Sequence, residues 1–419
     1  MKVLYLCADL GIPVLGGTGA SVHVRSLVTA LRAAGHSVVL AAASLTKSPW
    51  EQPAELDATI WHVPPTTDVV APILTLKAFN QSIGFTNSVP GELRRILYNA
   101  ELGKSMKHRL ESSPPDIIYE RASRYGTAGA SLAEALNRPL IVELNAPLAL
   151  EQARYRDGTF SEWSASAERA TLTRADAVIV VSSVLREYVI AQGVAPERVH
   201  VMPNGVNIER FRPGARDPGV RSTWNLNGGP LLGFVGGLRP WHGVEALPDL
   251  LARLVPSHPD LRLIIVGAGP GRTQLEESLR ERGLGSHVVF TGPLPHEQVG
   301  LLMQQFDIAL APYPAPDHMF YFSPLKLFEY MASGVAVVVP DLGQIAEIVR
   351  DGETGLLYRA GDLEALSRQC ERLIDDPALR VRLGRAAADE VRTRFTWDRT
   401  AARVTDLAAA LVSAQEAHR

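Results

Sequence analysis

Ser323, Pro324, Lys326 and Glu329 fall within one short run, from Phe320 to Gly334. A proline at the first helical position is pre-set for helix, and a serine before it can cap exposed amides. The free N–H groups and the dipole of such a helix start hold an anion well, a phosphate above all. Leu325 and Lys326 belong to that start, and Lys326 adds a positive charge near it. Glu329, a turn and a half further in, can accept hydrogen bonds from a sugar diol. One helix could therefore grip both the phosphates and the ribose of a nucleotide. It is expected to stop at Gly334, ahead of the apolar strand Val335–Pro340.

Other groups of residues suit the same chemistry. Gly16, Gly17 and Gly19 open the first long helix, and glycines let a backbone approach a diphosphate closely. His23, on that helix, reads as a packed or surface residue. Gly267-Ala-Gly-Pro-Gly-Arg272 follows a strand and precedes a helix. The dinucleotide fingerprint needs glycine where Arg272 stands, so only Gly267 is kept, as a supporting contact. Glu143 and Asn145 end an apolar run, and strand ends are where open α/β sheets bind ligands. Both are candidates for sugar or acceptor contacts. Glu120-Arg121 ends the preceding run and reads as an ion pair. No Asp-x-Asp stands at a strand end, and no His/Cys group has ligand spacing, so no metal site is expected.

The segment around Glu329 resembles the nucleotide-sugar motif of family 4 retaining glycosyltransferases, in its Ser-Pro-x-Lys-x-x-Glu-Tyr-Met-Ala form. The usual motif has two glutamates; Glu329 matches the second, and Tyr321 stands at the first. Phe234–Gly243 resembles that family's Gly-Arg-x4-Lys-Gly turn, with Gly237 at the arginine position and His242 at the lysine position. The resemblance implies that Arg239, two residues on, and His242 share the neutralisation of a donor diphosphate beside Gly236. Arginine suits this through its planar, permanently charged fork. It further implies that Gly16 and Gly17 close over the donor, and that backbone near Leu294 contacts the base. UDP is favoured over GDP by prevalence in the family. The implied fold is GT-B: two Rossmann-like, doubly wound parallel-sheet domains facing a cleft, with a last helix crossing back to the first domain.

The bulk numbers agree with such a chain. Its 419 residues exceed one ordinary core, and 46% hydrophobic with 21% charged residues are globular values. A net charge of −3 argues against a general nucleic-acid binder. Cys7 and Cys370 read as buried thiols rather than a disulfide. The absence of a leader or a spanning run predicts a cytoplasmic protein. The basic helical stretch Leu93–Leu110 allows peripheral membrane contact, although its interleaved acids favour a solvated face.

Apolar runs alternate with helical ones. Strands are expected at Val3–Cys7, Val38–Ala43, Ile117–Tyr119, Leu140–Glu143 and Ala177–Val181. A second set follows at Leu231–Val235, Leu261–Val266, Val288–Thr291, Ile308–Ala311 and Val335–Val339. Residues 64–90 read as an irregular loop or lid. The expected domains are 1–203 with 396–419, binding the acceptor, and 204–395, binding the nucleotide-sugar. The reaction implied is retaining, metal-independent glycosyl transfer to an acceptor hydroxyl, without a cofactor. An epimerase or phosphorylase on the same fold, or a non-catalytic nucleotide-sugar binder, are the alternatives.

Overall fold

A computed structural model describes residues 1–48, 53–155, 158–226 and 228–417. The chain forms two compact units, Met1–Pro203 with Trp397–Arg419, and Asn204–Thr396.

The first unit carries seven parallel strands: β1 (Lys2–Cys7), β2 (Ser37–Ala42), β3 (Thr59–His62), β4 (Ile117–Arg121), β5 (Leu140–Leu144), β6 (Ala177–Val180) and β7 (Val199–Val201). Their order is β3-β2-β1-β4-β5-β6-β7. The sequence pattern located the buried strands but not β3 and β7. These are the two sheet edges, short or half-exposed, so neither shows a long apolar run. Residues 64–90 are not a loop: Thr67–Ser82 and Val89–Leu110 are helices. Pro72 sits inside the first and removes one helical bond, yet Val69 and Ile73 of the same helix are buried. Packing thus overrides the local breaker signal.

The last helix, Trp397–Ala417, belongs to this unit and packs against helix Gly19–Ala33. Thr405 Oγ1 is 2.9 Å from His36 Nε2, and Arg403 donates to the Val201 carbonyl at 2.8 Å. The Trp397 ring meets His23 edge-on at 5.0 Å. No helix among the described residues is long and apolar enough to cross a membrane.

The second unit holds β8 (Leu231–Val235), β9 (Arg262–Val266), β10 (Val288–Gly292), β11 (Ile308–Leu310), β12 (Ala336–Asp341) and β13 (Leu356–Arg359). All are parallel, in the order β10-β9-β8-β11-β12-β13. The sheet is covered on both faces. Leu263, Ile265, Ala336 and Val338 enter one core cluster, while Ile264, Val266, Val337 and Val339 enter the other. Double burial explains why these strands read as continuous apolar runs. Cys7 and Cys370 are both buried and free, and burial pushes the Cys7 thiol up to about 12.

Candidate active site

All strands of the second unit run the same way, so their C-terminal ends share one edge. The strand order reverses direction between β8 and β11, and ligands of open α/β sheets bind at such a switch point. Here the two strands also part. Their pairing ends at Gly233 and Ala309, and the Tyr330 hydroxyl fills the gap beyond. It accepts from the Val235 amide at 2.7 Å and donates to the Leu310 carbonyl at 3.3 Å.

Tyr330 belongs to helix Leu325–Ala332, whose start lies at this opening. Ser323 does not cap it, and Pro324 precedes the helix in extended conformation. The Ser323 hydroxyl instead accepts the Asn204 amide at 3.1 Å, and its carbonyl accepts Asn204 Nδ2 at 2.6 Å. The first-turn amides, Leu325 and Lys326 among them, therefore keep their donors without a side-chain cap. The Lys326 side chain turns back over β8. Its Nζ is buried with no hydrogen-bond partner among the described residues. It lies 4.3 Å from the Phe234 ring centroid and 5.5 Å from that of Tyr313. Burial draws the amine down to about 7, against the pull of Glu329. Glu329 is buried, and its Oε1 lies 2.9 Å from His296 Nε2. His296 Nδ1 is 2.9 Å from an Arg210 guanidinium nitrogen. Arginine is always a donor, so Nδ1 accepts and Nε2 carries the proton given to Glu329.

The loops after β8 and β9 interlock through backbone. The Gly236 amide donates to the Val266 carbonyl at 2.9 Å, and the Leu238 amide to the Ala268 carbonyl at 3.1 Å. Gly267 has φ +131°, and a Cβ there would stand 2.1 Å from the Gly236 oxygen. Only glycine fits this approach. Arg239 is exposed, 5.6 Å from the ring of Trp241, which is half-exposed. His242 points inward, with Nδ1 on the Gly237 carbonyl. Burial, then Lys326 and Arg239, drive its pKa down to about 4, against that bond. In the ligand-free protein His242 is thus neutral at pH 7, whereas the sequence reading gave it a cation's role. Leu294 follows β10 at the same edge, its side chain packed on the core.

In the first unit the switch point lies between β1 and β4. Gly16 is buried and Gly17 exposed, and Arg25 donates to the carbonyls of Val14 and Gly16 at 2.7 and 2.6 Å. Glu143 is buried at the end of β5 and is enclosed by donors. Tyr119 and Tyr5 reach Oε2 at 2.9 and 3.4 Å; Asn145 reaches Oε1 at 2.9 Å. His23 Nε2 and Arg121, the latter at 3.5 Å, complete the shell. Burial raises the carboxyl, but His23, Arg121 and Asn145 prevail and hold it at about 2. Glu143 is therefore a saturated buried anion rather than an open strand-end carboxylate, and Asn145 is the half-buried member of the pair. Arg121 pairs with Glu143 and not with Glu120, because neighbouring strand residues point to opposite faces. Glu120 turns to the start of helix Ala128–Leu136, where burial pushes it up to about 7.

Residues 221–390 match the family of glycosyl transferases group 1, and residues 17–210 match glycosyltransferase family 4. A GDP-mannose-dependent alpha-mannosyltransferase of Mycolicibacterium smegmatis is 33% identical over 290 residues, 69% of this chain and 72% of that one. The chain belongs to glycosyltransferase family 4. A glycogen synthase of Mycobacterium tuberculosis is 26% identical over 406 residues, 96% of this chain and 92% of the relative. Among solved structures, sucrose-phosphate synthase from Thermosynechococcus elongatus superposes with a TM-score of 0.75 at 21% identity, covering 99% of this chain and all of that one. Anabaena Alr3699/HepE, solved in complex with UDP, gives 0.71 at 20% identity, with coverage of 98% and 100%. These two likenesses establish the fold, GT-B.

Sequence reasoning for this glycosyltransferase named Lys326 and Glu329 but missed their partners. Tyr330 and Tyr313 were given no role. His296 and Arg210 are far apart in sequence from each other and from Glu329, and no spacing rule joins them.

Proposed function

We propose that the enzyme transfers a sugar from a nucleoside-diphosphate sugar to an acceptor hydroxyl, with retention and without a metal. The observation that carries this is the helix Leu325–Ala332. It brings an uncapped start, an ammonium and a buried carboxylate to the switch point of one sheet. Glu329 would take the ribose hydroxyls, and the helix start with Arg239 would meet the departing diphosphate, next to His242. Gly236, Gly267 and the backbone at Leu294 line the same edge and would lie along the nucleotide. Asn145 and the Glu143 network would serve sugar or acceptor contacts, and the Gly16-Gly17 amides would close over the donor diphosphate. In a front-face displacement the leaving phosphate takes the acceptor proton, so no separate base is required.

UDP-glucose is the first donor to test, given the UDP held by HepE, and GDP-mannose the second, given the mannosyltransferase relative. Incubation with each donor and a panel of glycosides, inositol phosphate and lipid-linked sugars should yield product whose anomeric coupling constant matches the donor's. An inverted product overturns retention. Full activity in EDTA is expected; loss of activity that a single divalent ion restores overturns metal independence.

A further inference from the structure

Four groups at the second unit's switch point carry or can carry charge: Arg239, His242, Lys326 and Glu329. Of the basic groups, Lys326 has its charged atom buried with no hydrogen-bond partner among the described residues. Lys326 Nζ lies behind the Gly236–Gly237 turn, close enough that a Cβ on Gly236 would sit 2.7 Å away. A side chain on Gly237 would make ordinary contacts only, the nearest at 3.6 Å to Arg239, so that turn presents bare backbone. A buried ammonium over two aromatic faces is poorly solvated, and no carboxylate oxygen or carbonyl bonds it. Glu329, the acid on its own helix, is instead held by His296.

We propose that Lys326, rather than His242, is the cation that meets the pyrophosphate of the donor, reaching it past the bare Gly236–Gly237 turn. This rests on the donor-binding reading above. The helix that carries Lys326 begins where β8 and β11 part, and its first-turn amides have no side-chain cap. A phosphate arriving there gives Nζ the hydrogen-bond acceptor it lacks. Nζ lies against the rings of Phe234 on β8 and Tyr313 after β11, and the titratable groups that act on it are Glu329 from its own helix and His242 from the loop after β8. Of these, Lys326 and His242 are the two that burial holds short of their charged forms, at about 7 and about 4. Either would take up a proton when phosphate binds, and the two can be separated.

The experiment is isothermal titration with UDP, UMP, GDP and GMP at pH 8, in buffers of different ionisation enthalpy. It compares the wild type with Lys326→Met, Lys326→Gln and His242→Asn, each checked by thermal unfolding. The wild type is expected to prefer a diphosphate to its monophosphate and to take up close to one proton per diphosphate bound. Both Lys326 variants should bind the diphosphate about 10- to 100-fold more weakly, with the monophosphate changed far less and the proton uptake gone. His242→Asn should keep the uptake. Lys326 variants that fold and bind diphosphate as the wild type does overturn the assignment while leaving the donor reading intact. So does loss of proton uptake in His242→Asn alone. A wild type that binds none of the four nucleotides overturns the donor reading itself, and this assignment with it.

Discussion

At the scale of the residue, two buried carboxylates have opposite characters. Glu143 has every lone pair directed at a donor and is held at about 2, below its ordinary 4.5. A depressed carboxylate contributes stability above its unfolded pKa and loses it as pH falls through the folded one. The window here is pH 4.5 to 2, and the contribution is on the order of 3 kcal/mol. Glu143→Gln should therefore lower Tm at pH 7, and the gap from wild type should narrow as the pH falls from 5 towards 2 in a calorimetric series. Glu329 has one donor, His296, and so retains capacity for a ligand. Glu329→Ala should raise the donor KM about tenfold or more, the value of a charge-assisted hydrogen bond, with a smaller change in kcat. An unchanged KM would remove Glu329 from the ribose.

At the scale of the element, helix Leu325–Ala332 acts through the three residues it delivers together. Tyr330 substitutes for two lost ladder bonds where β8 and β11 separate. Tyr330→Phe removes the acceptor of the Val235 amide and a donor to the Leu310 carbonyl and should cost about 1–3 kcal/mol in urea unfolding. It should also weaken nucleotide binding, since Lys326 and Glu329 stand on the same helix as Tyr330. Gly267 tests the interlocked loops in the same way. Gly267→Ala forces its methyl into the Gly236 oxygen and should be far more disruptive than Gly285→Ala in the same unit, where a Cβ meets nothing. Comparing the two by circular dichroism melts separates close approach from the loss of a glycine as such.

At the scale of the whole molecule, each unit has its own doubly covered parallel sheet. Apart from Gly16 and Gly17, the nucleotide groups named here lie within Asn204–Thr396. That segment, expressed alone, should fold and bind UDP or GDP within about threefold of the full chain, because its cores and switch point need no residue from outside it. The first unit, by contrast, is split in sequence. Deleting Trp397–Ala417 uncovers helix Gly19–Ala33 and removes the ring against His23, so it should lower the melting transition of that unit. Differential scanning calorimetry checks both expectations.

The amino-acid sequence determined the alternation of strands and helices, because buried parallel strands must be apolar throughout and their helices amphipathic. It also marked Glu329, Lys326 and Gly267, whose neighbours in sequence define a helix start and a tight turn. It did not reveal the edge strands β3, β7 and β13, the helix through Pro72 or the company kept by each charged group. Those depend on contacts between residues far apart in sequence: Glu143 with His23 and Tyr5, Glu329 with His296, Lys326 with Phe234 and Tyr313. Whether a histidine is charged, a carboxylate free or an ammonium unpaired is set by burial and by partners, and only the folded arrangement supplies both.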